Sequence, residues 1–375
     1  MTEHVCGVVS FAVTGALFVT RTFPPSVGGM QTLAADVWAT LRSGAAVPTY
    51  LVAHRGTARG LPVFVVRATV RTFQLVVTRR VDTVITGDVV MYLVLSPLLR
   101  LLGVRHATMA MGKDVVWAQP VYRRLVSWRL PRAPRVLAIS EATARAVVAV
   151  GVPESRVRVV RLGVEVPGVS VADRAASRRE LMGRLGLEGD PVILLALGRL
   201  VRRKGVEWFV REVLPRLDGD LVYVVAGAGE EEGSIRTAVV ESGQGARVRL
   251  LGRVSDDERE TLMRAGDIFV QSNVMVPGDM EGFGLVAVEA AMRGALVVAA
   301  DLEGLRDAVV TGETGVLVPP HDAAAWTQML SVLIADLDRT RAMARAYALE
   351  CRRRYSRERM GRDLCDVLDL GRTSD

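Results

Sequence analysis

The sequence predicts an α/β protein of two doubly wound domains, each a parallel sheet covered by helices, and three observations lead there. The chain has 375 residues, too many for one ordinary core and enough for two. Short β-branched runs alternate with helix-like stretches, the pattern of strand, crossover helix and parallel strand. The second half repeats this arrangement without repeating the sequence, so no short-period array is involved. Half of the residues are hydrophobic and 5% are aromatic, a folded rather than a disordered composition.

Thr14 to Thr20 reads as the first strand. It runs into Arg21-Thr22-Phe23-Pro24-Pro25, after which Gly28-Gly29 opens a helix with Met30, Leu33, Val37 and Leu41 on one apolar face. A glycine pair there also suits a plain tight turn. Val63 to Val66, Leu75 to Val77, Val84 to Thr86 and Val136 to Ile139 read as further strands, and Ser140 as the N-cap of a helix. Val157 to Leu162 closes the first domain, 1–166, and Glu165 to Ala176 reads as the linker because it holds Pro167 and Gly168 and lacks periodicity.

The second domain, 167–352, has strands expected at 192–197, 222–226, 248–251, 268–271 and 296–299. Val192 to Leu197 is an apolar run bounded by Pro191 and Gly198, the mark of a buried parallel strand. Gly198-Arg199 follows it directly, and Lys204-Gly205 comes five residues later at the entrance of a helix. Two cations at the carboxyl end of a sheet stand where open α/β folds bind ligands. Further on, Pro277 to Gly294 places Glu281 just ahead of an apolar helix and Glu289 inside it, with Gly282 and Gly284 either side of Phe283. Glycines at a helix start let a ligand approach unpaired amides, which makes an anion site with carboxylates beside it. An acidic first turn that merely suits the helix dipole would look the same. Two such elements in one half-sheet favour the ligand.

These stretches carry a resemblance. GRLVRRKG (198–205) and EGFGLVAVE (281–289), with GAG at 227–229, LGRV at 251–254 and TGETGVLVPP at 311–320, resemble the retaining glycosyltransferases of family 4, and TRTFPPSVGGMQ (20–31) is similar to that family's amino-terminal glycine loop. PGDMEGFG and FPPSVGG are most similar to bacterial phosphatidylinositol-mannoside mannosyltransferases. The resemblance implies the GT-B fold, two Rossmann-like domains facing across a cleft, with a terminal helix, 353–375, crossing back to the first domain. It implies a hexosyltransferase whose donor is a nucleotide diphosphate sugar, best guessed as GDP-mannose, moved with retention to a lipid-linked acceptor. Arg199, Lys204 and Glu281 become the catalytic candidates. Gly28, Gly29, Gly198, Arg253, Val254, Gly282, Phe283, Gly284 and Leu285 become donor contacts, Glu281 the holder of sugar hydroxyls and Glu289 the holder of the ribose. Arg199 and Lys204 would neutralise the diphosphate in place of a metal, so no metal is expected. The family histidine is missing: related mannosyltransferases carry His-Gly and then an acid one residue on, where this chain has Met111-Gly112-Lys113-Asp114. A thioether neither donates a hydrogen bond nor relays a proton.

Composition bounds the rest. Cys6, Cys351 and Cys365 form no framework, and His4, His54, His106 and His321 show no metal-ligand spacing. A cytoplasmic protein is therefore expected, without a secretory leader because Glu3 and His4 replace a basic n-region. The longest apolar segment, Val89 to Leu99, is shorter than the ~20 residues of a spanning helix. Net charge is +7, and fifteen of the basic residues against three acids fall between Arg42 and Arg135, a local balance of +12. Within that stretch Trp117, Tyr122 and Trp128 are interleaved with five arginines and no acid from Trp117 to Arg135. Such a mixture suits an anionic membrane surface, so the expected acceptor lies there and the protein is peripheral on the inner face of the plasma membrane. The bland reading is a solvated basic face, which would leave a soluble natural-product acceptor. No nucleic-acid partner is expected, since no base-reading motif accompanies the arginines. An epimerase, a phosphorylase or a silent donor-binding protein would share the fold.

Overall fold

Two parallel six-stranded sheets form the core of the computed structural model, which describes residues 13–25 and 29–371. The first runs through β1 (Ala16–Thr20), α1 (Gly29–Gly44), β2 (Thr49–Ala53), α2 (Leu61–Val77), β3 (Thr83–Thr86), α3 (Val89–Leu101), β4 (Arg105–Ala110), α4 (Lys113–Val116), α5 (Pro120–Arg129), β5 (Val136–Ala138), α6 (Glu141–Ala149) and β6 (Val157–Val159). The second runs through α7 (Val171–Leu185), β7 (Val192–Leu197), α8 (Val206–Trp208), β8 (Leu221–Ala226), α9 (Glu232–Glu241), β9 (Val248–Gly252), α10 (Asp256–Ala265), β10 (Ile268–Gln271), α11 (Leu285–Met292), β11 (Leu296–Ala300), α12 (Leu305–Ala308) and β12 (Val316–Val318). Three helices close the chain: α13 (Ala323–Ala335), α14 (Leu337–Arg354) and α15 (Arg357–Leu368).

Strand order is β2-β1-β3-β4-β5-β6 in the first sheet and β12-β11-β10-β7-β8-β9 in the second. Each order reverses once, between β1 and β3 and between β7 and β10. Such a switch point leaves a crevice at the carboxyl ends of the strands. The strands are apolar on both faces, as helices on both sides demand: Leu194, Leu195, Val224, Phe269 and Val298 are all buried. The two halves are joined from behind. α15 packs on α1, Arg357 pairs with Asp36 at 2.6 Å, and the Val164 amide donates to the Tyr355 carbonyl at 2.9 Å. Gly163 allows that approach, since a Cβ there would stand 2.2 Å from the Ser356 carbonyl oxygen.

Three expectations are corrected. Val63–Val66 and Leu75–Val77 are not strands but parts of α2, whose buried face is Phe64, Ala68, Thr72 and Leu75, a helical spacing that a strand's alternation cannot produce. Pro62 sits in its first turn, where a missing N–H costs nothing. The expected linker is helical from Val171 onward, because Ser170 and Asp173 form a capping box at 3.1 and 2.9 Å. The last strand of the first sheet ends at Val159, short of Leu162. Strands β2, β4 and β12 were not expected. The Ser140 cap stands as read, with its hydroxyl accepting the Thr143 amide at 3.0 Å.

Candidate functional site

The switch point of the second sheet brings the two sequence motifs together. β7 ends at Leu197, and Gly198 turns the chain at φ 140°, a backbone conformation that favours glycine. Gly227 passes so close that a Cβ on it would overlap the Gly198 carbonyl oxygen at 1.8 Å. After the exposed Arg199, a single 3₁₀ turn of Arg202, Arg203 and Lys204 ends on Gly205 at φ 64°. That turn sends Arg202 outward and folds Arg203 and Lys204 inward.

Glu281 receives both. Its Oε2 accepts from Lys204 Nζ at 2.5 Å and from Arg203 Nη1, with Asn273 Nδ2 at 3.2 Å and Gln271 Nε2 at 3.5 Å completing the ring. Burial alone would push the Glu281 carboxyl up, but Lys204 and Arg203 outweigh it and hold the pKa at about 2. Glu281 is thus an anion shared by two buried cations. Asp279 stands behind Arg203 at 3.4 Å, and the Glu281 amide donates to Glu303 at 2.6 Å. Glu303 holds that bond from the left-handed region, at φ 49°. Arg199 lines the same crevice, its carbonyl accepting the Val201 amide at 3.0 Å, and its guanidinium has no hydrogen-bond or ion-pair partner among the described residues. Between Gly198, Arg199, Lys204 and Gln271 lies a gap of about 20 Å³, room for a water-sized group.

Gly282, Phe283 and Gly284 follow Glu281 and form a wall that meets the first half at Met111. Phe283 is buried edge-on against Tyr355, 5.7 Å between centroids. Gly284 caps α11 at φ 95°, so the first amides of that helix, through Leu285, have no intrahelical acceptor. Glu289 lies within α11, where its carboxylate is held by Arg259 of α10 and shares no partner with Glu281. Arg253 is exposed and Val254 half-buried in the turn between β9 and α10. Gly29 opens α1; Gly28 lies outside the described residues.

Facing this wall is the switch point of the first sheet. Arg21 Nε, after β1, pairs with the buried Asp88, after β3, at 2.7 Å. Asp114 is buried beside them and accepts the amides of Val89 at 3.0 Å and Met111 at 2.8 Å. Burial, with Asp88 nearby, raises its pKa to about 7. The halves touch: Lys113 Nζ lies 3.4 Å from Asp279, and a Cβ on Gly282 would stand 2.3 Å from the Met111 carbonyl oxygen. Met111, in place of the family histidine, therefore presents its backbone to Gly282.

Sequence reasoning missed Arg203, Gln271, Asn273, Asp279 and Glu303 around Glu281, and the Arg21–Asp88 pair opposite. Arg203, Asp279 and Arg21 carried a local signal, by lying inside the quoted motifs.

Comparison with known proteins agrees with this architecture. Residues 36–166 match the model described as Glycosyltransferase Family 4, and residues 191–336 the one described as Glycosyl transferases group 1. Curated relatives include the D-inositol 3-phosphate glycosyltransferase of Nocardia farcinica, 33% identical over 65% of this chain and 54% of the relative, and that of Catenulispora acidiphila, 36% identical over 53% and 48%. The chain spans about half the length of the curated relatives it matches. Their name differs from the mannoside subfamily expected from the sequence. Among solved structures, HepE of Anabaena with UDP and glucose superposes at a TM-score of 0.75 over 95% of this chain and 99% of that one, at 18% identity. Sucrose-phosphate synthase of Thermosynechococcus elongatus gives 0.73 over 94% and 98%, at 19% identity. These likenesses establish the GT-B fold.

Proposed function

With each half matched by a glycosyltransferase model, the chain belongs to the family 4 glycosyltransferases, and we propose that it moves a hexosyl group from a nucleotide diphosphate sugar to an acceptor hydroxyl with retention of configuration. The observation that carries this is the convergence of Arg199, Lys204 and Glu281 at the switch point of the second sheet. In this reading residues 167–352 hold the donor and residues 1–166 the acceptor, and the terminal helix expected over 353–375, which among the described residues is α15 (Arg357–Leu368), ties the two.

The chemistry asks for charge at two places. As the anomeric carbon–oxygen bond breaks, negative charge grows on the departing phosphate, and Arg199, Lys204 and the amides at the start of α11 oppose it. Lys204 is already paired with Glu281, so an arriving diphosphate shares that cation with the carboxylate. Glu281, ionised well below neutral pH, then accepts hydrogen bonds from sugar hydroxyls. Glu289 serves the ribose once Arg259 yields it. The acceptor oxygen bonds to the anomeric carbon on the face the phosphate leaves, and its proton passes to that phosphate. Such a step needs no protein base, which fits Met111 in the histidine's place.

Our first reading of the substrates is GDP-mannose and a lipid-linked acceptor. The names of the relatives favour a second, a soluble inositol phosphate. Both are tested by following release of free nucleotide from GDP-mannose, UDP-glucose and related donors, with a polyprenyl- or phosphatidylinositol-linked acceptor in one arm and D-inositol 3-phosphate in the other. Transfer predicts release that depends on one acceptor. Conversion of the donor without any acceptor would instead mean an epimerase or hydrolase, and no conversion with any donor a silent binding protein.

A further inference from the structure

Helices α2, α3 and α5 lie side by side on one face of the first sheet, α2 against α3 and α3 against α5. Each leaves apolar side chains uncovered. On α2 these are Val63, Val66, Val70, Phe73 and Val77, spaced three and four apart, so a second apolar stripe runs opposite the buried one. Val63 is 73% exposed and Phe73 46%. Val94 and Leu101 of α3, Trp117 at the end of α4, and Val121, Leu125 and Trp128 of α5 are exposed as well. These eleven are most of the seventeen large apolar residues exposed among the described residues, and they fall on the neighbouring helices α2, α3 and α5 or just before α5. Exposed apolar side chains concentrated in this way on adjoining helices mark a contact surface.

The charge of the same face says what it contacts. Arg67 and Arg71 stand along one edge of the α2 stripe, Arg55 and Arg59 precede it, Arg79 and Arg80 follow it, and Arg123 and Arg124 flank Val121 and Leu125, all exposed. Arg129 and Arg132 lie over the Trp128 ring at 5.1 and 5.5 Å. No exposed acid offsets them between residues 42 and 135: Asp88 and Asp114 are buried, and Asp82 is taken by Arg105 and Thr14. Helices α2, α3 and α4 all start at the carboxyl edge of the sheet, so the face begins at the mouth of the cleft.

We propose that this face, built on the α2 stripe Val63–Val66–Val70–Phe73–Val77 and its arginines, docks the enzyme on an anionic lipid surface. No helix among the described residues is long and apolar enough to cross a membrane, so the protein lies on the surface. Apolar side chains enter the headgroup boundary while the arginines meet lipid phosphates. The inference rests on the glycosyltransferase reading only in giving the docked enzyme a lipid-borne acceptor. It also moves the centre of the contact from the Trp117–Arg135 segment to α2.

The test is co-sedimentation of the full chain with phosphatidylcholine vesicles and with vesicles containing phosphatidylglycerol, at low and high salt, for wild type, Val70→Asp/Phe73→Asp and Arg67→Glu/Arg71→Glu. Binding is expected only to anionic vesicles, weakened by salt, and reduced at least about tenfold in either double variant, given about 1 kcal/mol per basic residue at such a surface. Unchanged circular dichroism and unchanged stabilisation by nucleotide sugar certify that the variants fold and keep the cleft. Equal binding to neutral vesicles, no binding at low salt, or variants that bind as wild type overturn the proposal. So does a wild-type dimer in analytical ultracentrifugation that the Val70→Asp/Phe73→Asp variant dissolves, since a second copy would then cover the face. Vesicle binding without nucleotide-sugar stabilisation would defeat the cleft reading and leave this one standing.

Discussion

The second half gathers its charges at the carboxyl end of its sheet, whereas the first half spreads them over its outer face. At the β7/β10 switch point, Lys204 and Arg203 close on Glu281. At the β1/β3 switch point a buried carboxylate pairs with one arginine while another carboxyl, Asp114, is pushed toward neutrality. The same kind of fold thus makes a charged socket in one half and a weakly charged, tightly hydrogen-bonded wall in the other. In the function proposed above, a diphosphate occupies the first and the acceptor hydroxyl faces the second.

Breaking the socket should have the largest effect. Lys204→Ala or Arg199→Ala is expected to lower turnover on the order of 10²- to 10³-fold, as when a transition-state charge stabiliser is removed. Arg203 still neutralises Glu281 in Lys204→Ala, so folding survives by circular dichroism. Turnover within a factor of two of wild type in Lys204→Ala would remove the distinction between the halves.

Acid titration sharpens the comparison because the two halves answer with opposite signs. Glu281 is depressed from 4.5 to about 2, so its contribution to stability is present above pH 4.5 and lost as pH falls through 2. Asp114 is raised from 3.8 to about 7, so its contribution is complete below pH 3.8 and lost as pH rises through 7. Each shift corresponds to roughly 3–4 kcal/mol. Denaturant melts across pH should show Asp114→Asn flattening the decline between pH 4 and 7, and Glu281→Gln flattening only the region below 4.5. The same slope change in both variants would mean that the carboxylates titrate as one system.

A smaller effect separates the two glutamates of the donor half. Glu289→Ala should weaken binding of the free nucleotide about tenfold, the scale of a hydrogen bond to a charged group. Glu281→Ala should leave that affinity nearly unchanged and impair transfer instead. Calorimetry showing equal loss in both would contradict the division of roles.

Much of this contrast was legible in the sequence, but unevenly. The socket was readable because its two motifs are each contiguous, and a buried strand followed by Gly-Arg announces a sheet end. Arg203 was not, because Arg202-Arg203-Lys204 reads as three equivalent cations until a 3₁₀ turn sends one outward and two inward. Gln271 ends an ordinary core strand, Asn273 lies two residues past it, and both acquire meaning only when β10 lies beside β7. The error over α2 has a physical cause of its own: a helix apolar on both its buried and its exposed face gives runs such as Val63 to Val66, which imitate a strand covered on two sides. The surface that misled the secondary-structure reading is the one proposed for lipid.

The central claim is that the β7/β10 switch point holds a nucleotide diphosphate sugar. Thermal unfolding against a panel of UDP- and GDP-sugars tests it most directly, since a ligand at a hundred times its Kd stabilises by about 2.7 kcal/mol. We expect one nucleotide sugar to raise Tm in the wild type and in Asp114→Asn, and to fail in Arg199→Ala. A full shift retained in Arg199→Ala, or no shift with any donor, would contradict the claim.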